Sequence, residues 1–168
     1  VKHVRLGGMT DTYTYMADGV VELEYPVPNP EPIARLLHGL RADERLEILH
    51  TDNGNPSIIA ENLEPSEEIT KTLVETLSDG AVLSFGLESA DQAVHEANWL
   101  NCDPNQLKTA IRLINKYGAE RGNRGLPKLL PGLNFIAGLN GETSSTYQQN
   151  LSLLRDIRSE DLLLRRIN

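Results

Sequence analysis

The sequence predicts an α/β fold built from parallel strands. Three observations predict it. Short apolar runs of strand length alternate with amphipathic stretches of helical period along the chain. Asn29-Pro30 and Asp103-Pro104 mark helix starts, each an N-cap side chain followed by proline at the first helical position. The apolar runs end in glycines, carboxylates and amides, the residues that line sites at strand ends. The order reads β-α-β-α-β-α-β-α-β. Alternation of this kind means parallel strands joined by right-handed helical crossovers.

Residues 1–6 (VKHVRL) alternate apolar and polar and stop at Gly7-Gly8, a strand. Residues 7–29 read as a long loop rich in tyrosine and proline, and loops of this length are functional or insertions. After Asn29-Pro30, Ile33, Leu36, Leu37 and Leu40 recur at helical spacing. Residues 46–50 form the second strand, with an outgoing loop over 50–56. Ser66 is the expected cap of the next helix, which buries Ile69, Leu73 and Leu77 and ends at Asp79-Gly80. Residues 81–86 (AVLSFG) form the third strand, followed by a short helical piece over 91–99. Asp103 and Gln106 make a capping box for a helix that runs to Gly118. After a basic, glycine-rich loop, residues 129–137 give the fourth strand, 143–159 a helix and 162–167 the fifth strand. An open doubly wound sheet and part of a (β/α) barrel both fit this order. Both put function at the carboxyl ends of the strands.

Net charge is −8, which argues against a broad basic surface for nucleic acid or an anionic membrane. No apolar run approaches the roughly 18 residues of a membrane span, and no basic-then-apolar leader is present, so a cytoplasmic protein is expected. The single cysteine, Cys102, excludes a disulfide framework or a cysteine-built cluster within this sequence alone. Strand-like residues stand at both the first and last positions, so the sequence is expected to be a piece cut from a longer protein.

The strand ends present Gly7-Gly8; His50, Asp52 and Asn53; Glu88-Ser89; Gly138, Gly141 and Glu142; and Arg165, Arg166 and Asn168. Glycines let a ligand meet bare backbone, while carboxylates and amides orient it. No glycine-lysine-Ser/Thr phosphate loop occurs. The set suits a polar, hydroxyl-bearing ligand better than a polyphosphate. Plainer roles stand beside these: Glu142 as a partner of a helix dipole, Glu88 as a solvated loop acid, His3 and His50 as ordinary strand histidines, Cys102 as a structural thiol, and Trp99 as packing. Arg165 and Arg166 alternate across the last strand, so at most one faces a barrel interior.

Three of these strand ends resemble one family. F-I-A-G-L-N-G-E-T (135–143) resembles the strand and G-[FL]-P-G-E-T turn of radical S-adenosylmethionine enzymes, in the branch of the tRNA methylthiotransferases and the Elongator catalytic subunit. S-F-G-L-E-S (84–89) resembles their preceding strand, which ends in G-[IL]-E-[ST]. R-L-G-G (5–8) resembles the end of their second strand, usually Gly-Gly-Glu. Met9 replaces that acid, and Asn140 replaces the proline of the later turn.

The resemblance implies strands two to six of a six-stranded partial (β/α) barrel, with the CxxxCxxC loop for a 4Fe–4S cluster lying outside this sequence. It implies that a reduced cluster cleaves S-adenosylmethionine to a 5′-deoxyadenosyl radical, the chemistry being the cofactor's and the orientation the protein's. Gly7 and Gly8 would line the methionine amino end. Glu88 and Ser89 would bond ribose or methionine groups. Ile136 through Gly138 would pack beside adenine, and Arg165 or Arg166 would approach the carboxylate. The partners implied are the rest of the parent polypeptide, a reductant, and a substrate among which tRNA is one option; no membrane is implied. The fragment alone is expected to be inactive. Two other readings stay open: a metal-dependent hydrolase or lyase using His3, His50 and Asp52, and a non-catalytic interaction module.

Overall fold

The computed structural model describes residues 1–168. In chain order the elements are β1 (His3–Leu6), α1 (Pro30–Arg41), β2 (Ile48–Thr51), β3 (Asn53–Gly54), α2 (Pro56–Glu61), α3 (Leu63–Thr76), β4 (Ala81–Glu88), α4 (Gln92–Asn98), α5 (Pro104–Gly118), β5 (Leu129–Phe135), α6 (Ser144–Ser159) and β6 (Arg166–Ile167). The fold is α/β and every strand pairing is parallel. β1 pairs with β2, and β3-β4-β5-β6 form a second sheet in chain order, without reversal. The two sheets adjoin, because β2 runs through Asp52 into β3 and the Ser84 N–H donates to the Asp52 carbonyl.

The helix starts follow the side chains that precede them. Asn29 accepts from the Glu31 N–H, and Asp103 accepts from the Asn105 and Gln106 N–H groups while Gln106 closes the box. Each satisfies donors that a helix leaves unpaired in its first turn. Asn55-Pro56 uses the Asn29-Pro30 signature to start α2, a helix absent from the expected order. At six residues it is too short to show a hydrophobic period. Ser66 is not a cap. α3 begins at Leu63, the Ser66 N–H already donates to the Asn62 carbonyl, and its side chain is fully buried. Only Asn62 separates α2 from α3, so helical hydrogen bonding reaches further back than the hydrophobic pattern does.

The last strand is also shorter than expected. Only Arg166–Ile167 pair with β5, while Leu162 and Leu164 pack against the core. The long loop 7–29 is tied down by Tyr13, which is fully buried with its hydroxyl 2.8 Å from Thr70 Oγ1, and by an Asp18–Val27 bridge.

Strand alternation sorts the sheet's faces. Leu83, Phe85 and Leu87 of β4 join Leu129 and Leu133 of β5 in one core with Ile69 and Leu73 of α3 and Leu107, Ile111 and Ile114 of α5. The alternate positions begin with Val82 and Leu130 and continue with Ser84, Gly86, Glu88, Gly132 and Asn134, a face that is polar toward the carboxyl ends. At the end of α5, Gly118 packs its bare Cα on the Leu129 carbonyl oxygen, so helix and strand backbones meet without an intervening side chain.

Candidate functional site

The site begins with an irregularity in β4. Its pairing with β5 runs in register from Ala81↔Leu129 to Gly86↔Asn134, then shifts so that Glu88 opposes Phe135. The extra residue is a bulge, a device that re-aims a side chain. Glu88 takes a left-handed φ of 68°. For a residue with a β-carbon this costs about 1–2 kcal/mol. The result folds the Glu88 carboxylate back over Gly86, into the space a β-carbon there would need. The carboxylate forms no ion pair, and partial burial raises its pKa above the ordinary value.

Glu88 stands in a cleft of ≈ 280 Å³ whose lining contains no apolar side chain except proline. Ser84 and Gly86 form its floor with Asn134, and Thr10, Asn55 and Asn101 form its walls. A second depression of ≈ 280 Å³ adjoins it and shares Gly86, Glu88 and Asn101. Arg166 reaches the floor from β6, its Nη2 donating to Ser84 Oγ at 3.0 Å. Asn168 Nδ2 donates to Asn134 Oδ1 at 2.8 Å. This is a site of hydrogen-bonding groups at the carboxyl ends of parallel strands, where α/β folds place ligands.

Behind one wall lies Asp11, which sequence reasoning missed. Its Oδ1 accepts from the Asn55 N–H at 2.9 Å and the Tyr13 N–H at 3.1 Å. Its Oδ2 is buried without a protein partner, and desolvation pushes its pKa up to about 6. Asp11 therefore clamps the turn into α2 that carries Asn55. Asn55 and Asn101 were also missed. Asn55 was legible as a cap before Pro56, whereas nothing local marks Asn101.

The residues singled out from the sequence divide into two groups. Glu88 and Asn53 line the cleft. Ile136 continues β5 beside it, its N–H donating to the Glu88 carbonyl at 3.0 Å, and is half exposed. Gly7 and Gly8 are exposed at the end of β1, with Gly7 beside Asp52. Gly138 takes a left-handed φ and donates its N–H to Glu142 at 2.8 Å. That bond holds Glu142 below the usual carboxylate range and makes it the closure of the 138–141 turn. Ser89 is fully buried: its Oγ accepts from the Asp91 N–H, and its carbonyl accepts from His95 Nε2. Arg165 is exposed and meets β5 through its backbone, so Arg166 is the arginine that enters the polar face. Met9 lines a small apolar crevice with Leu6, Ile33 and Leu37.

The residues of the metal-site reading do not assemble. His3 is exposed beside Glu47, Asp52 is paired with Arg5 at 2.5 Å, and His50 is held below its usual pKa, chiefly by burial. No three His, Cys, Asp or Glu side chains gather as metal ligands. The Cys102 thiol is buried and its pKa is pushed up to about 12 by desolvation, so it is not a thiolate. No helix is long and apolar enough to cross a membrane.

No family model matches the chain. It is 42% identical over its whole length to an uncharacterized protein of Archaeoglobus fulgidus and 38% identical to an uncharacterized protein of Methanocaldococcus jannaschii. The chain spans 31% of the length of each. The similarity therefore covers every element described above, within proteins about three times as long.

Proposed function

We propose that this chain is the central portion of a radical S-adenosylmethionine core, a partial (β/α) barrel whose polar face holds S-adenosylmethionine. The observation that carries the reading is the Glu88 carboxylate, lifted by a bulge over Gly86 into a predominantly polar cleft at the strand ends. The strand order supports the barrel: a doubly wound sheet reverses direction at its switch point, and this sheet does not.

The donors and acceptors present fit the ligand. An unpaired carboxylate accepts from ribose hydroxyls or an ammonium group, and the amides of Asn53 and Asn134 orient what it holds. Half-exposed Ile136 offers an apolar surface for adenine, and Arg166, which no carboxylate of this chain neutralises, is placed for a ligand carboxylate. A 4Fe–4S cluster would take its ligands from the rest of the parent polypeptide. One-electron cleavage of the sulfonium to a 5′-deoxyadenosyl radical is the chemistry that S-adenosylmethionine and such a cluster supply. The residues of this chain bind, orient and shield.

Iron and sulfide analysis of the longer polypeptide, purified anaerobically and reconstituted, tests the reading. About four irons and four sulfides per chain are expected. A colourless, iron-free protein would overturn it.

A further inference from the structure

Trp99 is not packing. It is the chain's one tryptophan, it is 93% exposed, and it caps α4 in a left-handed conformation with φ 56°. Its backbone N–H and that of Leu100 both donate to the His95 carbonyl, so the turn is anchored while the indole stands in water. Leaving a large aromatic in water and forcing a β-carbon into the left-handed region are both unfavourable. They coincide at the rim of a depression of ≈ 460 Å³ whose lining includes Glu24, Tyr25, Glu96, Leu100 and Asp103. That depression shares Trp99, Leu100 and Asn101 with the one beside Glu88, so the two form one trough.

The loops around the trough carry charge of one sign. Residues 7–29, 52–55, 89–103 and 136–143 follow β1, β2, β4 and β5, and none of these segments contains a lysine or arginine. They carry Asp18, Glu22, Glu24, Glu96 and Asp103 among other acids. Cations sit elsewhere: Arg45, Arg121, Arg124 and Lys128 lie in segments that enter the strands from the opposite end, Arg5 is ion-paired to Asp52, and Arg166, bonded to Ser84 on the polar face, lines neither depression of the trough. A phosphate backbone approaching this face meets carboxylates, whereas binding nucleic acid depends on neutralising phosphates with lysine and arginine. An indole face ringed by carboxylates suits a cation.

We propose that the Trp99 depression docks a basic polypeptide segment. One arginine or lysine side chain lies over the indole, held by Glu24, Glu96 and Asp103, which brings the adjoining residues of that segment to the Glu88 cleft. The proposal goes beyond the cofactor reading and does not depend on it.

Titration of the 168-residue chain with an arginine-glycine repeat peptide, followed by the emission of its lone tryptophan, tests the proposal. The expected result is a saturable change with protection from acrylamide quenching, weakening several-fold as salt rises from 50 to 300 mM. By calorimetry, Trp99→Gly and the pair Glu24→Gln/Glu96→Gln each weaken binding at least ten-fold with circular dichroism unchanged. Tighter binding of oligoadenylate than of the peptide would overturn the proposal, as would no peptide binding, or peptide binding indifferent to both variants. S-adenosylmethionine binding measured on the same variants separates the two readings: its loss in wild type with peptide binding intact rejects only the cofactor, and the reverse rejects only the docking site.

Discussion

The Glu88 carboxylate occupies the space that a side chain at position 86 would fill, so Gly86 and Glu88 are one device. Gly86→Ala is expected to swing the carboxylate out of the cleft while leaving the core face of β4 in place. Glu88→Gly relieves the left-handed strain at φ 68° but adds the chain entropy of glycine. Unfolding in urea should show Glu88→Gly within about 1 kcal/mol of wild type, although it removes the proposed binding group. A loss of several kcal/mol would mean that the carboxylate supports the fold instead.

Asp11 makes stability depend on pH. Its folded pKa of about 6 lies above the ordinary carboxyl value of 3.8, so the folded chain binds more protons than the unfolded chain between those values. Its contribution is most favourable below pH 3.8 and is lost as pH rises through 6, a change of about 3 kcal/mol at 1.36 kcal/mol per unit. Asp11→Asn keeps an acceptor for the Tyr13 and Asn55 N–H groups without the buried charge. The stability difference, variant minus wild type, should therefore grow between pH 4 and pH 7.5. Urea titrations of both proteins across that range check it; a flat difference would show that Asp11 is not desolvated.

Gly118→Ala tests the closest helix–strand contact. A methyl group there drives into the Leu129 carbonyl, and backbone atoms cannot rotate away. A loss of about 3 kcal/mol or more is expected from overpacking, against the gain of a few tenths to about 1 kcal/mol that alanine brings to an open helix position. Thermal unfolding decides between them.

Cys102 should resist alkylation. Its thiol is buried with a pKa pushed up to about 12, so iodoacetamide at pH 8 meets almost no thiolate in the native chain. Mass spectrometry is expected to find it unmodified until denaturant is added. Rapid native labelling would show that the segment around α5's cap opens readily.

Much of the fold was legible because it rests on local chemistry. The caps Asn29 and Asp103 and the apolar period of α1, α3 and α5 each name their element without help from the rest of the chain. α2 was lost because six residues hold no period, and Ser66 was misread because helical bonding continues across Asn62. The site was legible only where it sits on strand ends. Glu88 was found because it follows an apolar run; tertiary packing brings Asn101 to the cleft from one loop and sets Asp11, from another, behind Asn55. Ser89, one residue from Glu88, is buried because the bulge turns the chain inward, and strand alternation carries no signal of a bulge. Trp99 reads as packing in the sequence, because its left-handed backbone and its exposure leave no local signal.

The central claim is that the Glu88 cleft holds S-adenosylmethionine. Saturation-transfer NMR on the 168-residue chain tests it most directly, since the method reads weak binding without a cluster. Wild type and Glu75→Ala should both transfer saturation to the ribose and adenine protons, because Glu75 is an exposed residue of α3 that lines none of the depressions. Glu88→Ala should abolish the transfer. No transfer in wild type, or equal transfer in wild type and Glu88→Ala, would contradict the account.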